Sequence, residues 1–225
     1  SAFETPIVSG NVSFYNETDG VGILPTPTIG MVGLIEDTRK IISHGFKKSG
    51  DIVGLLGISK DDLDASAYSE TIAGRSINDL IAKGTLPSLD LDRELDVQRA
   101  LLRLADEMIL NSAHDCSDGG LAVAIAECCF SLGIGNAIGA NVRLPAGDLS
   151  TESQLFGESP SRIVISFAPE DLYRVEAIAG TCPFTVVGKV GGEKLTITIG
   201  DHLLVEGQVS EMQSIWTNSL GSILD

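Results

Sequence analysis

The chain has 225 residues, 43% of them hydrophobic but only 5% aromatic, so it can bury one sizeable aliphatic core. Lys and Arg number 15 against 31 Asp and Glu, a formal charge of −16. That balance excludes nucleic acid and anionic membrane as expected partners, since both need clustered cations; it leaves room for a nucleotide held through Mg2+, backbone N–H groups and helix N-termini. No apolar run reaches the ~18 residues of a spanning helix, and no signal-type segment is expected. Cys116, Cys128, Cys129 and Cys182 show no Cys-x-x-Cys spacing, so buried, reduced thiols and a cytoplasmic location are expected.

Residues 5–17, Thr-Pro-Ile-Val-Ser-Gly-Asn-Val-Ser-Phe-Tyr-Asn-Glu, open the chain's motifs. The apolar run Pro6-Ile7-Val8 predicts a strand over 5–9 that empties into a polar turn, the place where open α/β sheets put ligands. Gly10 lets the backbone approach a bulky anion, the Asn11 amide oxygen is a hard ligand suited to Mg2+, and the Ser13 hydroxyl suits a polar substrate. Phe14 and Tyr15 could wall such a site. An ordinary Asx-type turn explains the same residues. A loop rich in Gly and Pro leads to a second strand predicted over 28–35, and a boundary is expected near 40–50.

Asp51 to Ile58 is a continuous apolar run, which predicts a strand buried on both faces. Ser59 is expected to cap a short helical turn bearing Asp61 and Asp62, and Ser76–Lys83 to form a short helix ended by Gly84. Residues 92–112 predict the longest helix, with Val97, Leu101, Leu104, Ala105 and Met108 on one stripe. His114-Asp-Cys-Ser-Asp-Gly-Gly120 reads as a polar turn before a helix that Gly133 ends. Capping by Ser117 or Asp118 with close backbone packing is favoured there over anion binding, and His114 reads as a structural hydrogen-bonder. After a strand at 137–144 comes Leu-Phe-Gly-Glu-Ser-Pro-Ser-Arg162, in which Glu158 and Arg162 could pair and Ser159 and Ser161 could cap or bind. A helix over 170–179, a strand over 184–190, a hairpin across Gly200-Asp201 and a terminal helix from Ser210 complete the order. Mixed strands and helices with a terminal hairpin favour an α+β layered domain over a doubly wound one.

Four segments resemble, in this order, the synthetase subunit of the phosphoribosylformylglycinamidine synthase family, within the aminoimidazole ribonucleotide synthetase superfamily. They are residues 5–17, Pro25–Asp37, His114–Ala122 and Leu155–Arg162. The resemblance implies a C-terminal fragment of an ATP-dependent C–N ligase of purine biosynthesis. Residues 1–45 would be the remnant of a nucleotide- and substrate-binding domain. Residues 46–225 would be a complete α/β/α-layered domain of the aminoimidazole ribonucleotide synthetase C-terminal type. It implies ATP at Gly10, Mg2+ at Asn11 and formylglycinamide ribonucleotide at Ser13. A glutaminase subunit, a small accessory subunit and an N-terminal half of the same protein would be partners, and the isolated fragment would be inactive. For Asp115, Ser117, Asp118, Glu158, Ser159 and Arg162 it leaves both readings open, binding a ligand or only holding the fold, with Glu158 and Ser159 expected to keep the shape without the chemistry. Rival readings are another ATP-dependent member, such as aminoimidazole ribonucleotide synthetase, selenophosphate synthetase or a hydrogenase maturation protein, and a noncatalytic assembly module.

Overall fold

Ile52-Val-Gly-Leu-Leu56 is the strand on which the larger part of the molecule is built, and all five of its residues are buried. The computed structural model describes residues 2–12, 16–23, 26–76, 78, 79, 82, 86–130 and 137–224. The chain forms two compact units, Ser1–Arg39 and Lys40–Asp225.

The larger unit holds a seven-stranded sheet. Numbering strands along the whole chain, it comprises β3 (Ile52–Leu56), β4 (Leu110–Asp115), β5 (Ala140–Leu144), β6 (Ile163–Phe167), β7 (Phe184–Val190), β8 (Lys194–Ile199) and β9 (His202–Gln208). Their order is β4-β6-β3-β7-β5-β8-β9, and every pairing is antiparallel except that of β5 with β8. The helices are α1 (Ala67–Thr71), α2 (Leu91–Asp106), α3 (Gly120–Cys129), α4 (Thr151–Phe156), α5 (Leu172–Ala179) and α6 (Val209–Leu224). Side chains alternate across the sheet, and both faces are covered. Val53, Leu55, Val142, Val164 and Ile197 pack with Leu121 and Ile125 of α3, Leu155 of α4 and Val209 of α6. On the other face Ile52, Leu56, Ile165 and Phe167 pack with Val97 and Leu104 of α2 and Val175 of α5. The result is the expected α+β architecture, a mixed sheet between two helical layers.

Local chemistry sets the ends of these elements. The Asp90 carboxylate accepts from Arg93 N and starts α2, which buries Val97, Ala100 and Leu104. The helix stops at Asp106, short of the expected 112, because Met108 turns to φ +52 and Leu110 enters the sheet as the first residue of β4. Met108 is therefore 65% exposed instead of lying on the buried stripe. Pro169 precedes α5, and Gly180 at φ +56 closes it. Gly200 at φ +57 turns the β8–β9 hairpin. Ser59 caps no helix: the first helix begins at Ala67, with Ser66 Oγ accepting from Ser69 N. The helix expected over 76–83 lies partly outside the described residues, as do Gly84 and Gly133.

In the smaller unit residues 5–9 and 28–35 are irregular, not strands. Ile7 is 96% exposed and Val32 fully so, so neither run has the buried face that holds a strand. A two-residue hairpin forms instead, β1 (Glu17–Thr18) with β2 (Val21–Gly22). Asp19 and Gly20 turn it at φ +52 and +78, as a tight hairpin requires.

Candidate functional site

Gly10 and Asn11 lie on exposed, irregular backbone of the smaller unit. Among the described residues a Cβ on Gly10 would meet nothing within 4 Å, so its backbone leaves room for a ligand there. Ser13, Phe14 and Tyr15 lie outside the described residues.

In the larger unit the remaining motifs converge. β4 carries His114 and Asp115 to the sheet's end, and α3 follows after a tight turn. Gly119, at φ +78, is the N-cap of α3, and neither Ser117 nor Asp118 caps it. Ser117 Oγ instead donates to the Asp115 carboxylate, and this bond holds the Asp115 pKa below the usual carboxylate value. The capping acceptor comes from far along the chain. Glu158 Oε1 accepts from Gly119 N at 2.8 Å and from Ala67 N at 2.8 Å. Backbone packing is as close as expected: a Cβ on Gly120 would stand 2.7 Å from the Gly157 carbonyl oxygen.

Glu158 and Arg162 form no ion pair among the described residues, because each is already used by its neighbours. Arg162 is 2% exposed. Its Nε donates to Ser159 O at 2.9 Å, Nη1 to Ser59 Oγ at 2.9 Å and Nη2 to Gly157 O at 2.5 Å. Burial lowers its pKa, with nearby acidic groups opposing. Ser159 Oγ accepts from Lys60 N at 2.9 Å, while buried Ser161 Oγ has no hydrogen-bond partner among the described residues. His114 Nε2 lies 3.0 Å from Glu127 Oε2, and its ring packs 5.2 Å from that of His44. Burial, then His114, lowers the His44 pKa. This is the structural role expected of His114.

A cleft of about 220 Å³ opens where β3 and β5 end and β7 begins, lined among others by Ile58, Ser59, Leu144, Gln154 and Thr185. None of its lining side chains among the described residues is ionisable. Among the described residues no group of three or more His, Cys, Asp or Glu could hold a metal. The bonds that join residues 60–67 to residues 153–159 had no local signature in the sequence. Only the shared motif order hinted at Glu158 and Ser159.

These elements belong to a known family. Residues 48–200 match the model of the AIR synthase related protein, C-terminal domain, and the chain belongs to that family. Over 99% of its length it is 43% identical to Phosphoribosylformylglycinamidine synthase subunit PurL of Anaeromyxobacter sp. (strain Fw109-5). It is 38% identical, again over 99%, to the subunit of the same name from Alkaliphilus metalliredigens (strain QYMF). It spans 29% of the length of each. Among solved structures, T. maritima PurL complexed with FGAR superposes with TM-score 0.65 and 22% identity, over 78% of this chain and 30% of that one, which shows the shared fold. The resemblance read from the four motifs is borne out.

Proposed function

We propose that this chain is part of the synthetase subunit of a phosphoribosylformylglycinamidine synthase. The observation that carries the reading is the 43% identity maintained over 99% of the chain. The reaction is an ATP-dependent ligation in which formylglycinamide ribonucleotide and glutamine-derived ammonia give the amidine. Solved structures of T. maritima PurL hold FGAR or ATP, and a further one is of PurLQS, which supports the substrate, the nucleotide and an assembly with other subunits.

In this reading Gly10 contacts ATP, Asn11 ligates Mg2+ and Ser13 holds the ribonucleotide. The open backbone at Gly10 and the exposed position of Asn11 fit such contacts. ATP supplies the phosphoryl group that turns the amide oxygen into a leaving group, with Mg2+ balancing the phosphate charge. This chain's share is positional: Gly10 admits the phosphates, Asn11 fixes the ion, and Ser13 orients the substrate. Residues 1–45 then belong to the nucleotide- and substrate-binding domain and residues 46–225 to the second domain. The glutaminase subunit, the small accessory subunit and the rest of the subunit are the partners, the complex works in the cytoplasm, and this chain by itself makes no amidine.

The test is Asn11→Ala in the whole subunit, assayed with ammonia across Mg2+ concentrations. Activity should fall at low Mg2+ and recover in part at high Mg2+. Unchanged activity and Mg2+ dependence would reduce Ser9-Gly10-Asn11 to a turn and remove the site assignment.

A further inference from the structure

Residues 58–67 lead from the end of β3 to the start of α1 and pass the cleft, to whose wall Ile58 and Ser59 belong. No residue from 58 to 65 is fully buried, whereas every residue of β3 just before them is. The hydrophobic hold on this segment is therefore slight. Its polar hold is dense, and most of it comes from one place. Ser59 Oγ accepts from Arg162, Lys60 N donates to Ser159 Oγ, and Asp61 Oδ1 accepts from Ser153 Oγ at 2.5 Å. Asp62 O accepts from Glu158 N at 3.0 Å, and Ala67 N donates to Glu158 Oε1. Five successive ties thus run from one segment to residues 153–162. Among the described residues, the ties that go elsewhere include Lys60 Nζ to Ser88 and Asp64 to Arg75, which join partly exposed side chains, and Leu63 O, which accepts from Ser69 Oγ of α1 at 2.8 Å.

We propose that residues 58–67 are a strap that opens as a unit, hinged at Gly57 and released at Glu158, and that its opening uncovers the cleft at the ends of β3, β5 and β7. Gly57 sits at φ +89, a backbone state that glycine alone adopts freely. Glu158 is the release point because its single oxygen Oε1 serves both Ala67 N and Gly119 N, so one side-chain movement frees the strap's far end from α3. Among the described residues Asp62 Oδ2 is buried without a hydrogen-bond partner while the strap is closed, a cost that opening relieves. The cleft offers only uncharged side chains among the described residues, which suits an uncharged group in the open form. The strap stands independently of the catalytic reading above.

Amide hydrogen exchange in the whole subunit tests this. In the unaltered protein, the amides of Lys60 and Ala67 should exchange through a local opening, at least roughly tenfold faster than those of Val53–Leu56. Glu158→Ala should speed Lys60 and Ala67 by roughly tenfold or more and leave Val53–Leu56 unchanged. Glu158→Gln, which keeps an acceptor oxygen, should have a smaller effect. A thiol placed in the cleft wall by Gln154→Cys should be labelled faster in the Glu158→Ala background, with the four native cysteines still protected. Exchange of strap and β3 amides at one common rate in the unaltered protein would overturn the proposal. That comparison decides the matter even if Glu158→Ala does not fold. Equal acceleration of strap, core and native thiols would also overturn it, since it would show global unfolding instead of an opening strap.

Discussion

Gly120 packs against the Gly157 backbone, and neither glycine has room for a Cβ: one on Gly120 would meet Gly157, and one on Gly157 would meet the Ser153 carbonyl. A Cβ on Gly120 would stand 2.7 Å from the Gly157 carbonyl oxygen and 2.8 Å from the Phe156 carbonyl carbon, and Gly120 also sits at φ +69. Gly120→Ala should therefore cost ~2 kcal/mol or more, the left-handed strain adding to the clash. Gly147→Ala is the control, because its Cβ would meet nothing within 4 Å. Urea unfolding of both variants checks this, and a Gly120→Ala protein as stable as the control would contradict it.

Arg162 gives its hydrogen bonds to two carbonyls and a hydroxyl, in a position only 2% exposed. Arg162→Met leaves those acceptors without donors and should cost ~3 kcal/mol. Arg162→Lys should recover only part of this, since an ammonium cannot reproduce the planar fork. Full recovery with Lys would mean that charge alone is required.

Asp51 is 3% exposed, and burial raises its pKa, with Asn111 and nearby lysines opposing. Its folded pKa thus lies above its unfolded value. Its stabilising contribution is complete below the unfolded value of ~3.9 and is lost as pH rises through the folded one. Asp51→Asn removes that dependence while an amide oxygen can still accept from Asn111 Nδ2. The variant should be at least as stable as the parent at pH 7, and its advantage should shrink as pH falls towards 4. Chemical unfolding across pH 4–7 reads this directly; a variant less stable at pH 7 would reverse the sign.

All four cysteines are free and buried. Burial pushes the Cys116 thiol up to about 11 and Cys129 to about 12, so neither has much thiolate at neutral pH. Native protein should react with an aromatic disulfide reagent far more slowly than unfolded protein, which should titrate all four. Rapid native labelling would show that α3 opens readily, since Cys128 and Cys129 lie on it.

Much of the larger unit was readable because hydrophobic period and punctuation agree there. The run at Ile52–Leu56, the Pro169 and Gly180 that bound α5, and the Gly200 hairpin all express local rules. β4 was hidden because the stripe of α2 continues in register towards it, and Leu-Asn-Ser-Ala-His-Asp is too polar to announce a strand. Its place at the sheet edge beside β6 makes it one. Ile7 and Val8 show the reverse case, a strand-like run that has no pairing partner among the described residues of its own unit. Around Glu158, sequence motifs named the participants, but their pairing was lost. Glu158 turns to Ala67 and Gly119 instead of Arg162, a choice made by tertiary distance alone.

The position of β3 has a consequence for how the polypeptide comes into being. Ile52 is paired on one side with Phe167 and on the other with Lys189. A ribosome working from the N-terminus therefore releases the most apolar strand of the domain long before either neighbour exists. Both its edges stay unpaired until β6 and β7 are made, although α2 and α3 are there earlier to cover its faces, and closing those long loops makes the late steps slow. Nascent chains stalled before residue 163 should be the ones that chaperones retain, and release should follow completion of β6 and β7.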